Sequence, residues 1–156
     1  MICLICIISV TCCSKNNLPA TPELPRMIAG MKLERTLSGV KANKFVFRMH
    51  GRATGVRNSI IGYYDETERN VLYVSSFETD ELAQAALQKM ASKMAGATMG
   101  FEPARREESE NGLVYRTEGM GLSHFFFRQD SFVIWWHSAP DKAEASSGFL
   151  LSYQFK

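Results

Sequence analysis

Three imidazoles, His50, His124 and His137, are all the chain offers for nitrogen ligation or for proton transfer near neutral pH. His124 lies in Gly119-Met-Gly-Leu-Ser-His-Phe-Phe-Phe-Arg128, where glycines at a strand entrance permit a bulge or tight bend that aims a side chain outward. With the thioether of Met120, His124 and His137 make a set of soft ligands suited to copper, or of axial ligands suited to haem, and His50 could join them. The spacings that announce such sites, His-x-His or Cys-x-x-Cys-His, are missing. The plainer expectation places His124 and His137 on neighbouring strands of one packed or half-exposed face. The eight methionines include the start residue, Met90 and Met94 on a helical stripe, and Met99 in a Gly-rich turn, which reads as core filling more than as a sulfur cluster.

Other chemistries find less. Ser123 precedes His124, but neighbours on a strand point to opposite faces and cannot share a proton. A Gly-x-Ser-x-Gly elbow is absent. Glu78, Asp80, Glu102 and Glu118 could supply paired carboxylates, yet nothing in their spacing singles out a pair. Gly119-x-Gly121 has neither the further glycine nor the following helix that a phosphate cradle needs. The expectation is a non-catalytic domain with no cofactor.

All four cysteines stand within the first thirteen residues. The apolar run Ile2–Thr11 has the length of an export signal's hydrophobic region and falls far short of the roughly 20 residues that span a bilayer. It resembles a bacterial lipoprotein signal, with Val10-Thr11-Cys12-Cys13 in the place of the lipobox. The resemblance implies acylation of Cys13 and cleavage just before it. The alternative frame, Ser9-Val10-Thr11-Cys12, would put the lipid on Cys12. Cys12 stands where that signal usually carries Gly, Ala or Ser, which leaves the cleavage point open. No Lys or Arg precedes Lys15, whereas such signals begin with a basic stretch, so a translation start upstream of Met1 is expected. A zinc or redox site built from Cys3-x-x-Cys6 and the Cys12–Cys13 pair is the rival. Its cysteines sit in an Ile-rich run lacking His and turn residues. Neither Ser14 nor Lys15 is the Asp that often retains such lipoproteins at the inner membrane, so the resemblance favours the outer membrane.

The chain therefore divides into a signal segment (residues 1–12), a lipid-anchored tether (13–26) and one folded domain (27–156). Three prolines between Leu18 and Pro25 oppose both helix and buried strand. A dozen extended residues can lift a domain about 30 Å from a surface. Apolar content of 46% and charged content of 22% suit a globular domain of one core. Eighteen basic residues face sixteen acidic ones with no dense Lys/Arg block, and Arg105-Arg106 is answered by Glu107-Glu108, which leaves nucleic acid without an electrostatic footprint.

Within the domain, Ser38 caps a short helix with Val40, Phe45, Val46 and Met49 on one face, closed by Gly51. VRNSIIGYY (56–64) and VLYVSSF (71–77) read as a hairpin around the polar turn 65–70. Thr79 or Asp80 then caps the strongest helix, whose Leu82, Ala83, Ala86, Leu87, Met90, Ala91 and Met94 recur at three- and four-residue steps until Gly96. After a charged turn at 107–111 come strands at 113–118, 123–128 and 131–137, and a last helix over 142–153. The expected fold is α+β: an antiparallel sheet of about five strands, in the order helix-ββ-helix-βββ-helix, with helices packed mainly on one face.

The aromatic run Phe125–Trp136 makes both faces of its hairpin apolar, because adjacent strand residues point to opposite sides. If helices cover one face, Phe126, Trp135 and Trp136 become a candidate binding surface for a partner or ligand. From Tyr73-Val-Ser-Ser-Phe through the Gly119–Arg128 stretch to Val133-Ile-Trp-Trp, the folded part resembles small uncharacterised bacterial envelope proteins, a likeness that carries no activity. The function expected is that of a cell-envelope lipoprotein facing the periplasm, held to the membrane by its N-terminal lipid, that binds an envelope protein or an apolar ligand. The alternative is a periplasmic metal- or haem-handling protein using Met120, His124 and His137.

Overall fold

The computed structural model describes residues 21–50, 55–96, 100–110 and 112–156, without the side chains of Met49 and His50. The signal-like run, Cys12, Cys13, the rival cysteine pairs and Met99 lie outside the described residues. A two-residue strand β1 (Met27–Ile28) turns through Ala29 and Gly30, both at positive φ, into β2 (Met31–Ser38). Helix α1 (Gly39–His50) leads to β3 (Val56–Tyr64), which pairs with β4 (Asn70–Phe77). The β3–β4 turn is an Asx turn: the Asp65 carboxylate accepts the backbone N–H and the hydroxyl of Thr67 at 3.0 and 2.9 Å. Helix α2 (Asp80–Lys93) starts at the N-cap Thr79, whose hydroxyl accepts the Leu82 N–H at 3.3 Å. Strands β5 (Arg105–Ser109), β6 (Gly112–Gly119), β7 (Leu122–Gln129) and β8 (Phe132–Ser138) form a meander, and α3 (Ala143–Ser152) follows a single 3-10 turn.

The strands make one sheet in the order β1-β2-β3-β4-β8-β7-β6-β5, every neighbour antiparallel. Two meanders thus meet along the β4–β8 seam, and α2 carries the chain from that seam toward the far edge. This overturns the expectation of about five strands in the order helix-ββ-helix-βββ-helix. The fold is a sheet of eight strands, with helices on both faces instead of one. Three strands account for the difference. β1 and β2 precede the first helix, and the alternation of Met31, Leu33 and Leu37 in β2 is broken by a register shift between Leu33 and Arg35. β5, where a charged turn was expected from 107, is an edge strand whose residues are mostly exposed, so it has no apolar face to announce it.

Strict alternation sorts the side chains of the seam. Leu72, Val74, Ile134, Trp136, Phe125, Phe127 and Val114 point to one face, where Leu150 of α3 and the incoming segment (Leu24, Ile28) close the core. Residues 21–26, the end of the segment read as a tether, lie here: the Tyr64 hydroxyl donates to the Pro25 carbonyl at 2.7 Å, and Glu23 N donates to Lys156 O at 3.3 Å. The other face carries Tyr73, Phe77, Val133, Trp135 and Phe126 beneath α1 and α2. Each aromatic neighbour pair of the β7–β8 hairpin is thereby split between two cores, and one sheet buries both apolar faces.

Candidate functional site

Helices α1 and α2 rest on different halves of the sheet. Ala42 and Val46 seat α1 over β2 and β3, and Ala83, Leu87 and Met94 seat α2 over β7 and β8. Between them, above the β4–β8 seam, the helix layer does not close. A cleft of about 160 Å3 remains, a size comparable to the roughly 150 Å3 engineered apolar cavity that holds benzene. Its floor is Tyr73, Ser75 and Phe77 of β4 with Val133 and Trp135 of β8; Val46 and Val56 form one wall. Leu82, Ala85, Ala86 and Met90 of α2 form the other, with Lys89 and Lys93 also on that side.

The room exists because α2 carries two apolar rows. Ala83, Leu87 and Met94 go down into the sheet, while Leu82, Ala86 and Met90 face α1, and the small Ala85 and Ala86 do not fill the gap. Leu82 stays 40% exposed, and Phe45 of α1, beside the floor residue Tyr73, 37% exposed. Phe45 stacks on Tyr73 with ring centroids 6.0 Å apart. The floor continues as an aromatic ladder. Trp135 stacks on Phe126, and Phe126 on Tyr115, each at 5.2 Å, while Tyr73 stands opposite Trp135 in the register.

A polar row beside that ladder holds Trp135 in place. His124 and His137 are cross-strand partners with ring centroids 5.3 Å apart. The Trp135 indole Nε1–H donates to His124 Nδ1 at 3.2 Å. An indole can only donate, so Nδ1 carries a lone pair and the proton sits on Nε2, which donates to the Gly119 carbonyl at 3.2 Å. Phe101 closes the His124 ring from the edge at 5.0 Å and lies over Gly119, where a Cβ would meet its ring at 2.4 Å. Burial pushes the His124 imidazole below its ordinary range, against the opposing pull of the Gly119 carbonyl and Glu118. His137 is pushed down to about 4, first by burial and then by His124, with the Glu68 backbone carbonyl acting the other way. Burial raises the Tyr73 phenol above its ordinary range, with Tyr63 and Glu68 adding to the effect. All three side chains are therefore neutral near pH 7.

The residues singled out from the sequence separate. Trp135 lines the cleft. Phe126, on the same face, is fully buried beneath it. Trp136 is fully buried on the opposite face, donating its indole N–H to Ser146 Oγ at 2.9 Å. His124 and His137 do come together, on the face that carries α1 and α2, but both nitrogens of His124 are engaged in hydrogen bonds. Met120 projects from the β6–β7 turn with 72% exposure, and the His50 side chain is outside the described residues. Among the described residues no group of three or more His, Cys, Asp or Glu is placed to hold a metal ion. Among those residues, too, no helix is long and apolar enough to cross a membrane.

Sequence reasoning passed over Leu82, Ala86, Lys89 and Met90 as parts of a site. The signal was present: Leu82, Ala86 and Met90 add a second apolar row to α2, and a helix of this length on one sheet needs only one. Comparison with protein-family models, with curated proteins and with solved structures finds no match to this chain, so the geometry of the cleft carries the functional reading.

Proposed function

We propose that this chain is a cell-envelope lipoprotein whose folded part is a non-catalytic binding module, taking a small apolar ligand into the cleft between α1 and α2. The lipoprotein half rests on Val10-Thr11-Cys12-Cys13 and the apolar run before it. The module faces the periplasm from a membrane, by preference the outer one, with the acyl group on Cys13. Metabolic labelling with a fatty acid tests this half: incorporation is expected in the parent chain, and its absence there would remove the lipoprotein reading. Loss in Cys13→Ser would assign the acceptor, whereas loss in Cys12→Ser alone would move the acyl group to Cys12.

The binding half is carried by one observation: an apolar cleft with an aromatic floor, kept open over the central strands of an otherwise closed core. Binding there requires no proton transfer, and the neutral His124–Trp135 pair serves as a strut for the floor. Replacing Ala86, which lines the α2 wall, by Phe would fill the space from within. The A86F variant is expected to lose the change in tryptophan fluorescence that 1-octanol causes in the parent, while its thermal unfolding stays cooperative. An unchanged octanol response in a folded A86F protein would remove the cleft as the binding site.

A further inference from the structure

The charges around the cleft are one-sided. Helix α1 carries Lys41, Lys44 and Arg48 and no Asp or Glu, and the acidic residues of α2 are confined to Asp80 and Glu81 in its first turn. From Leu82 to Lys93 the only ionisable residues of α2 are Lys89 and Lys93, both on the cleft side. On α1, Lys41 and Arg48 share the side of Phe45 by four- and three-residue spacing, and Phe45 packs on Tyr73 of the floor. Glu78, just before α2, is held by Arg57 at 2.5 Å, and Glu68, beyond the Tyr73 end, is paired with Arg35. The chain as a whole is nearly balanced, at +2, so this asymmetry arises from placement and not from composition.

We propose that the ligand of the cleft is an amphiphilic monocarboxylate: an alkyl or single-ring tail of about six to eight carbons lying on Trp135, Tyr73 and Met90, with its carboxylate at the mouth on Lys89. This rests on the apolar-ligand reading above and adds the head group. The size follows from the volume, since about 150 Å3 accommodates a six-carbon ring. The single charge follows from position. Lys89 and Lys93 are the charged residues of the lining, and Lys93 stands in the last turn of α2, the end whose dipole disfavours concentrated negative charge. A phosphate monoester would look for an Arg fork or a helix N-terminus, and the charged residues of this lining are two lysines in the C-terminal half of α2.

The test uses the full chain and three ligands of one tail length, octanoate, 1-octanol and octylammonium, each kept below aggregation and read by tryptophan fluorescence. Octanoate is expected to bind about three- to fivefold more tightly than octanol, the range of a partly exposed ion pair, and octylammonium to bind least well. Lys89→Gln should bring octanoate down to the level of octanol and leave octanol unchanged, Lys89→Arg should restore the difference, and added salt should weaken octanoate alone. Lys89 is exposed, so the K89Q variant is expected to fold. Equal affinities for octanoate and octanol, or an octanoate preference untouched by K89Q, would overturn the head-group assignment while leaving an apolar site standing. If none of the three ligands binds, the apolar-ligand reading falls, and this inference with it.

Discussion

Trp136→Ala is expected to lower the free energy of unfolding by about 3–5 kcal/mol, read as a fall in the urea midpoint with little change in slope. Trp136 is fully buried, meets Tyr64 edge-on at 5.6 Å and donates its indole N–H to Ser146 Oγ. The substitution empties a large space under α3 and removes the donor to Ser146 Oγ, which itself donates to the Lys142 carbonyl at 2.6 Å. Against a total of about 5–15 kcal/mol for a domain, such a loss threatens folding itself. The neighbouring substitution Trp135→Ala should cost less, about 1–3 kcal/mol, because that side chain already borders a cleft and loses fewer contacts. It should instead abolish ligand binding. Similar stability losses for the two variants would show that Trp135 is packed as closely as Trp136 and borders no cleft.

The second large effect is on acid stability. His137 has an ordinary pKa of 6.5 and is pushed to about 4 in the folded chain by burial and by His124. Above pH 6.5 the ring is neutral whether the chain is folded or unfolded, and its full contribution to stability is present. As pH falls below that value the unfolded chain binds a proton that the folded chain resists, so stability drops until the folded ring titrates near pH 4. The shift corresponds to a loss of about 3 kcal/mol across that window. His124 is shifted the same way and adds to the slope. The window between pH 6.5 and 5 lies in the range of imidazole and above that of an unperturbed carboxylate, so the decline there belongs to the histidines. His137→Gln should flatten the decline in a series of urea or thermal unfolding curves. A parent protein equally stable at pH 5 and pH 7 would contradict the buried neutral pair.

Strands β3, β4, β6, β7 and β8 were legible because each has a run of β-branched or aromatic residues bounded by turn residues. Helix α2 was legible from its Thr79 cap and its apolar spacing. β5 was not, since Arg105–Ser109 owes its strand conformation to backbone pairing with β6, a non-local contact that leaves its side chains in solvent. The side of the sheet taken by each helix was equally illegible: local periodicity gives a helix an apolar stripe but no address.

For the candidate site the division is sharper. Alternation alone required Trp135 and Trp136 to face opposite ways, and also put His124 and Phe126 on a common face, because a strand repeats every two residues. The sequence by itself also determined that α2 would carry more apolar surface than one core row could use. Only the tertiary structure decided that β4 would meet β8. That seam set Tyr73 beside Trp135, turned Trp135 into a floor rather than an exposed patch, and left Lys89 and Lys93 of a nearly neutral chain beside one opening. The pairing joins segments some sixty residues apart (Val71 with His137), and such contacts are chosen by the packing of the whole sheet instead of by either segment.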